Sequence, residues 1–410
     1  MGILLATLLL WPNLNDILAP LTYGRWMPVH HNAQLYGWCA LPLVGLLLRA
    51  YLTPGPLANR HTLLALGAWS AALLFGAVSW LRGEASGKLF LDWSGPARIA
   101  FPLALCVLWA VLAHHAFARL AASHHRPNLP LDSRRSSLVR FALLLALLFV
   151  PIVMHYSADP HTFPPVNPDS GGATGVSLYG STLGLIAIYA AMPWMVALPL
   201  KPGRRRSRLT GPALGGAFVV FAFVDHGHAS HHGPDQIAAL ALLFLAPPLL
   251  ARDWRRFAWK TESHRWLVAS LAWGAFLVAD GWVTFLPGFS ERLKFTNGLV
   301  AHAHLAMAGL VTSIGMVFLL QLGVSTRVAT ALGDRRAFWL WQLATTLHVT
   351  VLLALGWFEG ANPWLVLGGT ETARLVYAVR LAAGTAMTVS SIWWLIAQWR
   401  RPAAAPNLTP

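Results

Sequence analysis

Charge is what this 410-residue chain has least of. Only 11% of its residues are charged and 15 are acidic, which excludes the evenly charged surface of a soluble globular domain. Cysteine occurs twice, as Cys39 and Cys106, each inside an apolar segment. That excludes a disulfide framework and thiolate metal chemistry. No CxxCH pair is present for covalent attachment of a prosthetic group. No low-complexity linker and no sequence repeat divides the chain, so residues 1–410 read as a single domain. The first apolar run, in MGILLATLLLWPNLNDILAP, lacks a basic segment before it and a clear small-residue cleavage site after it, so a retained first helix is expected.

Apolar residues fill the space that charge leaves. They make up 56% of the chain, with 20 Trp and a mean hydropathy of +0.55. Apolar runs recur near the ~20 residues needed to cross a hydrocarbon core about 30 Å thick. Divided at polar, Pro-rich and Gly-rich breaks, they predict helices near 2–20, 31–52, 61–82, 98–118, 138–157, 173–199, 211–226, 234–251, 264–286, 297–322, 337–357 and 374–397. The expectation is an all-α integral membrane protein of about twelve spans in one bundle, because lipid leaves backbone groups few other ways to be satisfied.

Lys and Arg total 30. Such an excess does not point to nucleic acid when it is concentrated in loops, since membrane proteins gather cations on the cytoplasmic side. Arg119, Arg126, Arg134, Arg135 and Arg140 follow the fourth predicted helix. Lys201, Arg204, Arg205, Arg206 and Arg208 follow the sixth, and Arg252, Arg255, Arg256, Lys260 and Arg265 the eighth. Residues 157–172 and 225–236 contain neither Lys nor Arg. These loops predict a multi-pass protein with both termini cytoplasmic, and the cell's inner membrane is its expected location.

Histidine, at 17, is the unusual residue. His30 opens the second predicted helix in MPVHHNAQLYGW, and His302 and His304 lie in the first two turns of the tenth, in TNGLVAHAHLAMAG. In the predicted topology all three reach a similar depth from the outside. Imidazole in hydrocarbon is costly unless it pairs or binds something. Helix residues two apart point roughly 200° away from each other, so His302 and His304 cannot ligate the same ion but can serve two sites. His31 reads as structural, and His348 is a ligand candidate with no evident partner. His226, His228, His231 and His232, in DHGHASHHGPDQ, suit copper or zinc and equally suit a wet, histidine-capped outer loop.

These residues resemble subunit I of the haem-copper oxidases, closest to the C-type (cbb3-like) cytochrome c oxidases and nitric oxide reductases. The likeness runs through nearly the whole chain as an ordered series of short matches. His30 with Asn32 is similar to the family's opening of helix two, and the HxH of helix ten matches His302 and His304. The resemblance implies a low-spin haem b on His30 and His304 and a high-spin haem b on His302. It also implies copper on two of His226, His228, His231 and His232, without saying which two. VADGW places Asp280 where the C-type enzymes have an acidic residue before Gly. LVYAVRLAAGTAMTVSSIWWL looks like the last helix, with Arg380 either on a haem propionate or anchoring the interface.

Two departures stand against this pattern. SLYGSTLGLIAIYAAMPW puts Ser181 where the family's third copper-ligating histidine stands, and the seventh helix has Ser230 but no Tyr after its histidines. His155 or His161 are the nearby substitutes. The copper centre is therefore expected to be incomplete. Three functions follow: a respiratory subunit reducing O2 or NO, with a cytochrome c-type subunit or soluble protein as electron donor; a non-catalytic haem protein for electron transfer or sensing; or a metal transporter. The last is disfavoured by the scarcity of charge within the predicted helices.

Overall fold

The structure, a computed structural model, describes residues 1–124, 131–162, 190–193, 198–205, 207–224, 233–322 and 325–399. Its main helices are α1 Gly2–Leu10, α2 Tyr23–Tyr51, α3 Pro56–Arg82, α4 Ala97–His124, α5 Leu131–Ser157 and α6 Thr210–Phe223, followed by α7 Pro234–Trp254, α8 His264–Thr284, α9 Asn297–Gln321, α10 Arg335–Ala361 and α11 Glu371–Trp399. Among the described residues nine helices are long and apolar enough to cross a membrane: α2–α5 and α7–α11, α8 and α10 together with the short helices that precede them. The chain is all-α, with no strand among those residues. Many of the largest apolar side chains point outward, Leu63, Leu74, Val268, Leu343 and Leu375 among them, as a lipid-facing surface requires.

The helix expected near 2–20 is broken. α1 stops at Leu10 and a short helix resumes at Leu14–Leu18. Between them stands Pro12, which has no N–H to continue the ladder. The sixth expected helix lies largely outside the described residues.

The chain divides into two compact units, 14–167 and 2–13 with 168–410. In the first, α2–α5 pack around an aromatic centre. Trp93 stacks on Phe101 at 4.6 Å, Tyr36 approaches Phe101 at 4.5 Å, and Trp80 meets Trp93 edge-on at 4.9 Å. Gly76 makes room for it, since a Cβ there would lie 2.8 Å from both indoles. In the second unit α10 packs against α9 and α11. The approach of α10 to α9 and to the short helix Phe289–Leu293 before it depends on absent side chains: a Cβ on Gly356 would lie 2.1 Å from the backbone nitrogen of Gly298 in α9, and one on Gly360 1.8 Å from the carbonyl oxygen of Arg292 in the short helix. Small residues spaced four apart let membrane helices come this close.

Candidate functional site

α2 and α9, which carry His30 and the His302–His304 pair, share a design. α2 starts at Tyr23, where Thr22 is extended, so His30 is the eighth residue of its helix rather than the first. The internal Pro28 made the start look later than it is. α9 starts at Asn297. The Thr296 hydroxyl accepts from the N–H of Gly298, and the Glu359 carboxylate accepts from both the backbone and the side-chain nitrogen of Asn297, at 2.7 and 2.9 Å. A carboxylate is favoured at this positive end of a helix. His302 and His304 follow as its sixth and eighth residues.

Three residues after His30, and three after His302, each helix widens into a π-helical stretch, Ala33–Cys39 and Leu305–Val311. Such stretches leave carbonyls without their usual partners and often mark functional sites. Both are served in the same way. The Trp69 indole of α3 donates to the Tyr36 carbonyl at 2.8 Å, and the Trp341 indole of α10 to the Ala308 carbonyl at 2.9 Å. Each acceptor is the fourth residue of its stretch, and each Trp lies 33 residues further along the chain. The Thr312 hydroxyl completes the second stretch by donating to the Met307 carbonyl, five residues back.

His302 and His304 address different neighbours, as their spacing predicts. His302 Nδ1 lies 2.7 Å from Oδ2 of Asp280 on α8, a carboxylate with little exposure. Gly281 packs beside this pair, where an added Cβ would meet the His302 ring at 3.4 Å, an ordinary contact. His304 Nδ1 lies 2.8 Å from the Val300 carbonyl, and its ring rests 4.4 Å from that of His348 on α10. A carbonyl only accepts, so Nδ1 of His304 carries the proton and the lone pair belongs to Nε2. Asp280 fixes His302 in the same sense. A carboxylate or carbonyl holding one ring nitrogen while the other is turned to an ion is the usual support for metal-bound histidine.

In the other unit, His30 and His31 sit 6.0 Å apart ring to ring, with Phe90 at 5.3 Å from His31. The Asn32 side chain donates to the Pro28 carbonyl at 2.8 Å. Arg380 lies half-buried in the third turn of α11. His155 ends α5 beside Tyr156, and His161 is exposed, its N–H held by Asp159. Ser181, Ser230, His226, His228, His231 and His232 fall outside the described residues. Among the described residues no three His, Cys, Asp or Glu side chains already surround a point fit for a metal ion.

Sequence reasoning missed two groupings. His348 does have a neighbour at its level, His304. His61, His114 and His115 also gather, two of them from a dipeptide whose partner lies 53 residues earlier. No protein-family model and no curated protein matches the chain.

Proposed function

We propose that this protein is a haem-bearing, electron-accepting membrane subunit of the haem-copper oxidase subunit I type. In this reading about twelve spans cross the cell's inner membrane with both termini cytoplasmic. The observation that carries the proposal is the pair of oriented imidazoles on opposite faces of α9, His302 on Asp280 and His304 on the Val300 carbonyl. Each keeps Nε2 as its ligating nitrogen, which fits iron.

His30 and His304 would hold the electron-accepting haem b, and His302 the other. Haem supplies the one-electron redox chemistry when bound. The chain's own residues do the rest. Asp280 strengthens His302 as a donor by accepting its Nδ1 proton, and Val300 does so more weakly for His304. The π stretches below the histidines, pinned by Trp69 and Trp341, set the angle at which each helix presents its ligand. Arg380 is assigned to a propionate. A cytochrome c-type protein is the electron donor in this reading.

Copper is not part of the proposal, because Ser181 and Thr182 offer only neutral hydroxyls where a third imidazole is needed. That departure favours a second reading, in which the subunit passes or senses electrons without reducing O2. Purified protein should show a reduced-minus-oxidised spectrum of low-spin haem b that is lost in His30→Ala and in His304→Ala. Survival of that spectrum in both variants would reject the assignment. Copper near one per chain with O2 consumption would favour catalysis, and haem without copper the second reading.

A further inference from the structure

We propose that His61, His114 and His115, in the first unit, form a binding site for a divalent transition-metal ion of the zinc type, separate from the residues assigned to haem. His61 is in the second turn of α3, and His114 and His115 are in the later turns of α4. Their rings lie 5.1, 5.1 and 5.3 Å apart, with each pair within 8° of perpendicular. Imidazoles on one tetrahedral ion, each about 2.0–2.1 Å away through nitrogen, place their rings at roughly this separation. Two nitrogens already converge, His61 Nδ1 and His115 Nε2, at 3.0 Å. His114 is exposed, so its ring can turn to become the third ligand without repacking the core.

The surroundings assign the protons. The backbone N–H of Thr53 points at His115 Nδ1 from 3.3 Å, so without an ion that nitrogen holds a lone pair and the proton sits on Nε2, shared with His61. An ion takes Nε2, the 3.3 Å bond from the Thr53 N–H is given up, and the proton moves to Nδ1. There the Thr53 hydroxyl, 2.9 Å away, can accept it. No proton is lost, and Thr53 then supports the ligand as Asp280 supports His302.

A cation is tolerable here although Arg119 lies one turn beyond His115. The Arg119 guanidinium is engaged with the carbonyls of Ala50 and Leu52, at 3.3 and 2.9 Å, at the negative end of α2. His115 is 2% exposed, so the site has an inner wall, and it opens on the side of His114.

The test is a Co(II) titration of the chelator-washed, full-length protein, reading the visible absorption of tetrahedral Co(II) and its loss when Zn(II) competes. A parent carrying His226→Ala, His228→Ala, His231→Ala and His232→Ala removes the outer cluster, and one Co(II) should still bind. In that parent His61→Gln should weaken binding about 100-fold or more, beyond the loss that follows removal of a supporting residue. His114→Ala, an exposed change that spares the fold, should weaken it by at least about tenfold. The proposal is overturned if the parent gives no tetrahedral band, or if His61→Gln, with helical content intact, binds Co(II) within twofold of the parent. Haem content is recorded in the same samples and should not change, so either proposal can fail without the other.

Discussion

Asp280 holds His302 across two helices at 2.7 Å, and it is the only acidic residue in α8. An anionic partner makes an imidazole more basic and favours the higher charge of an ion bound to it. Asp280→Asn keeps an acceptor at Oδ1 but removes the charge. The haem assigned to His302 should stay bound and its reduction potential should rise. Asp280→Ala removes the acceptor as well and should weaken haem retention by about 10–100-fold. Potentiometric titration followed by absorbance, with haem per chain, checks both. An unchanged potential in Asp280→Asn would detach Asp280 from the ligand set.

Trp69 and Trp341 provide the second test. Each indole satisfies a carbonyl that the π register exposes, at Tyr36 and Ala308. Replacing either by Phe keeps the ring and removes the donor, leaving a buried acceptor with one partner fewer. A loss of about 1–3 kcal/mol is expected for each. Thermal unfolding in detergent measures it. If the stretches position the histidines, Trp341→Phe should also perturb the spectrum of the haem assigned to His304, whereas a merely structural role would lower stability alone.

Much of this arrangement was legible in the sequence, and the reasons it stopped are local. Length and hydropathy located the spans that the described helices occupy, because crossing hydrocarbon imposes about 20 apolar residues whatever the packing. The HxH spacing separated His302 from His304, because helix geometry alone does so. The start of α2 was misplaced because Gly24, Arg25 and Pro28 break the apolar pattern, while the Thr22 that ends the extended stretch carries no strong signal. The π stretches have no periodicity of their own. Their partners lie 33 residues away and are visible only once the helices pack. The His61 cluster was missed for the same reason: each of its parts reads as an ordinary histidine at a helix end.

In the loop between α3 and α4, Asp92 is 3% exposed and accepts from the N–H and hydroxyl of Ser86 at 2.9 and 3.0 Å. Burial holds its carboxyl above the usual aspartate range, although the bonds from Ser86, Gly87 and Lys88 oppose this. Burial also holds the nearby Lys88 ammonium, which donates to the Ser157 carbonyl, below the usual lysine range. A carboxyl raised on folding contributes stability that is fully present below its unfolded value and is lost as pH rises through its folded value. Asp92→Asn keeps an acceptor for Ser86 and cannot ionise. Its melting temperature relative to the native chain should therefore increase from acid toward neutral pH, as a pH series of thermal melts would record. A relative melting temperature that falls toward neutral pH would mean that the ionised Asp92 stabilises the loop.

A close helix crossing gives the last prediction. Gly356 of α10 lies against Gly298 of α9 so tightly that its added Cβ would stand 2.1 Å from a backbone nitrogen and 2.6 Å from a backbone carbon. Neither atom can swing aside as a flexible side chain would, so Gly356→Ala must push α9 and α10 apart. Overpacking of this kind costs about 1–3 kcal/mol, and the displacement falls one turn from the Glu359 carboxylate that caps α9. His304 and His348, 4.4 Å apart across the same pair of helices, should separate with it. Gly384, on α11, has nothing within 4 Å of its added Cβ, so Gly384→Ala should be neutral or slightly stabilising, by at most about 1 kcal/mol. Melting temperature and haem spectrum for the two variants give the comparison. Gly356→Ala should lower the first and shift the second, and Gly384→Ala should do neither. Equal behaviour of the two alanines would show that the α9–α10 contact does not set the geometry around His304.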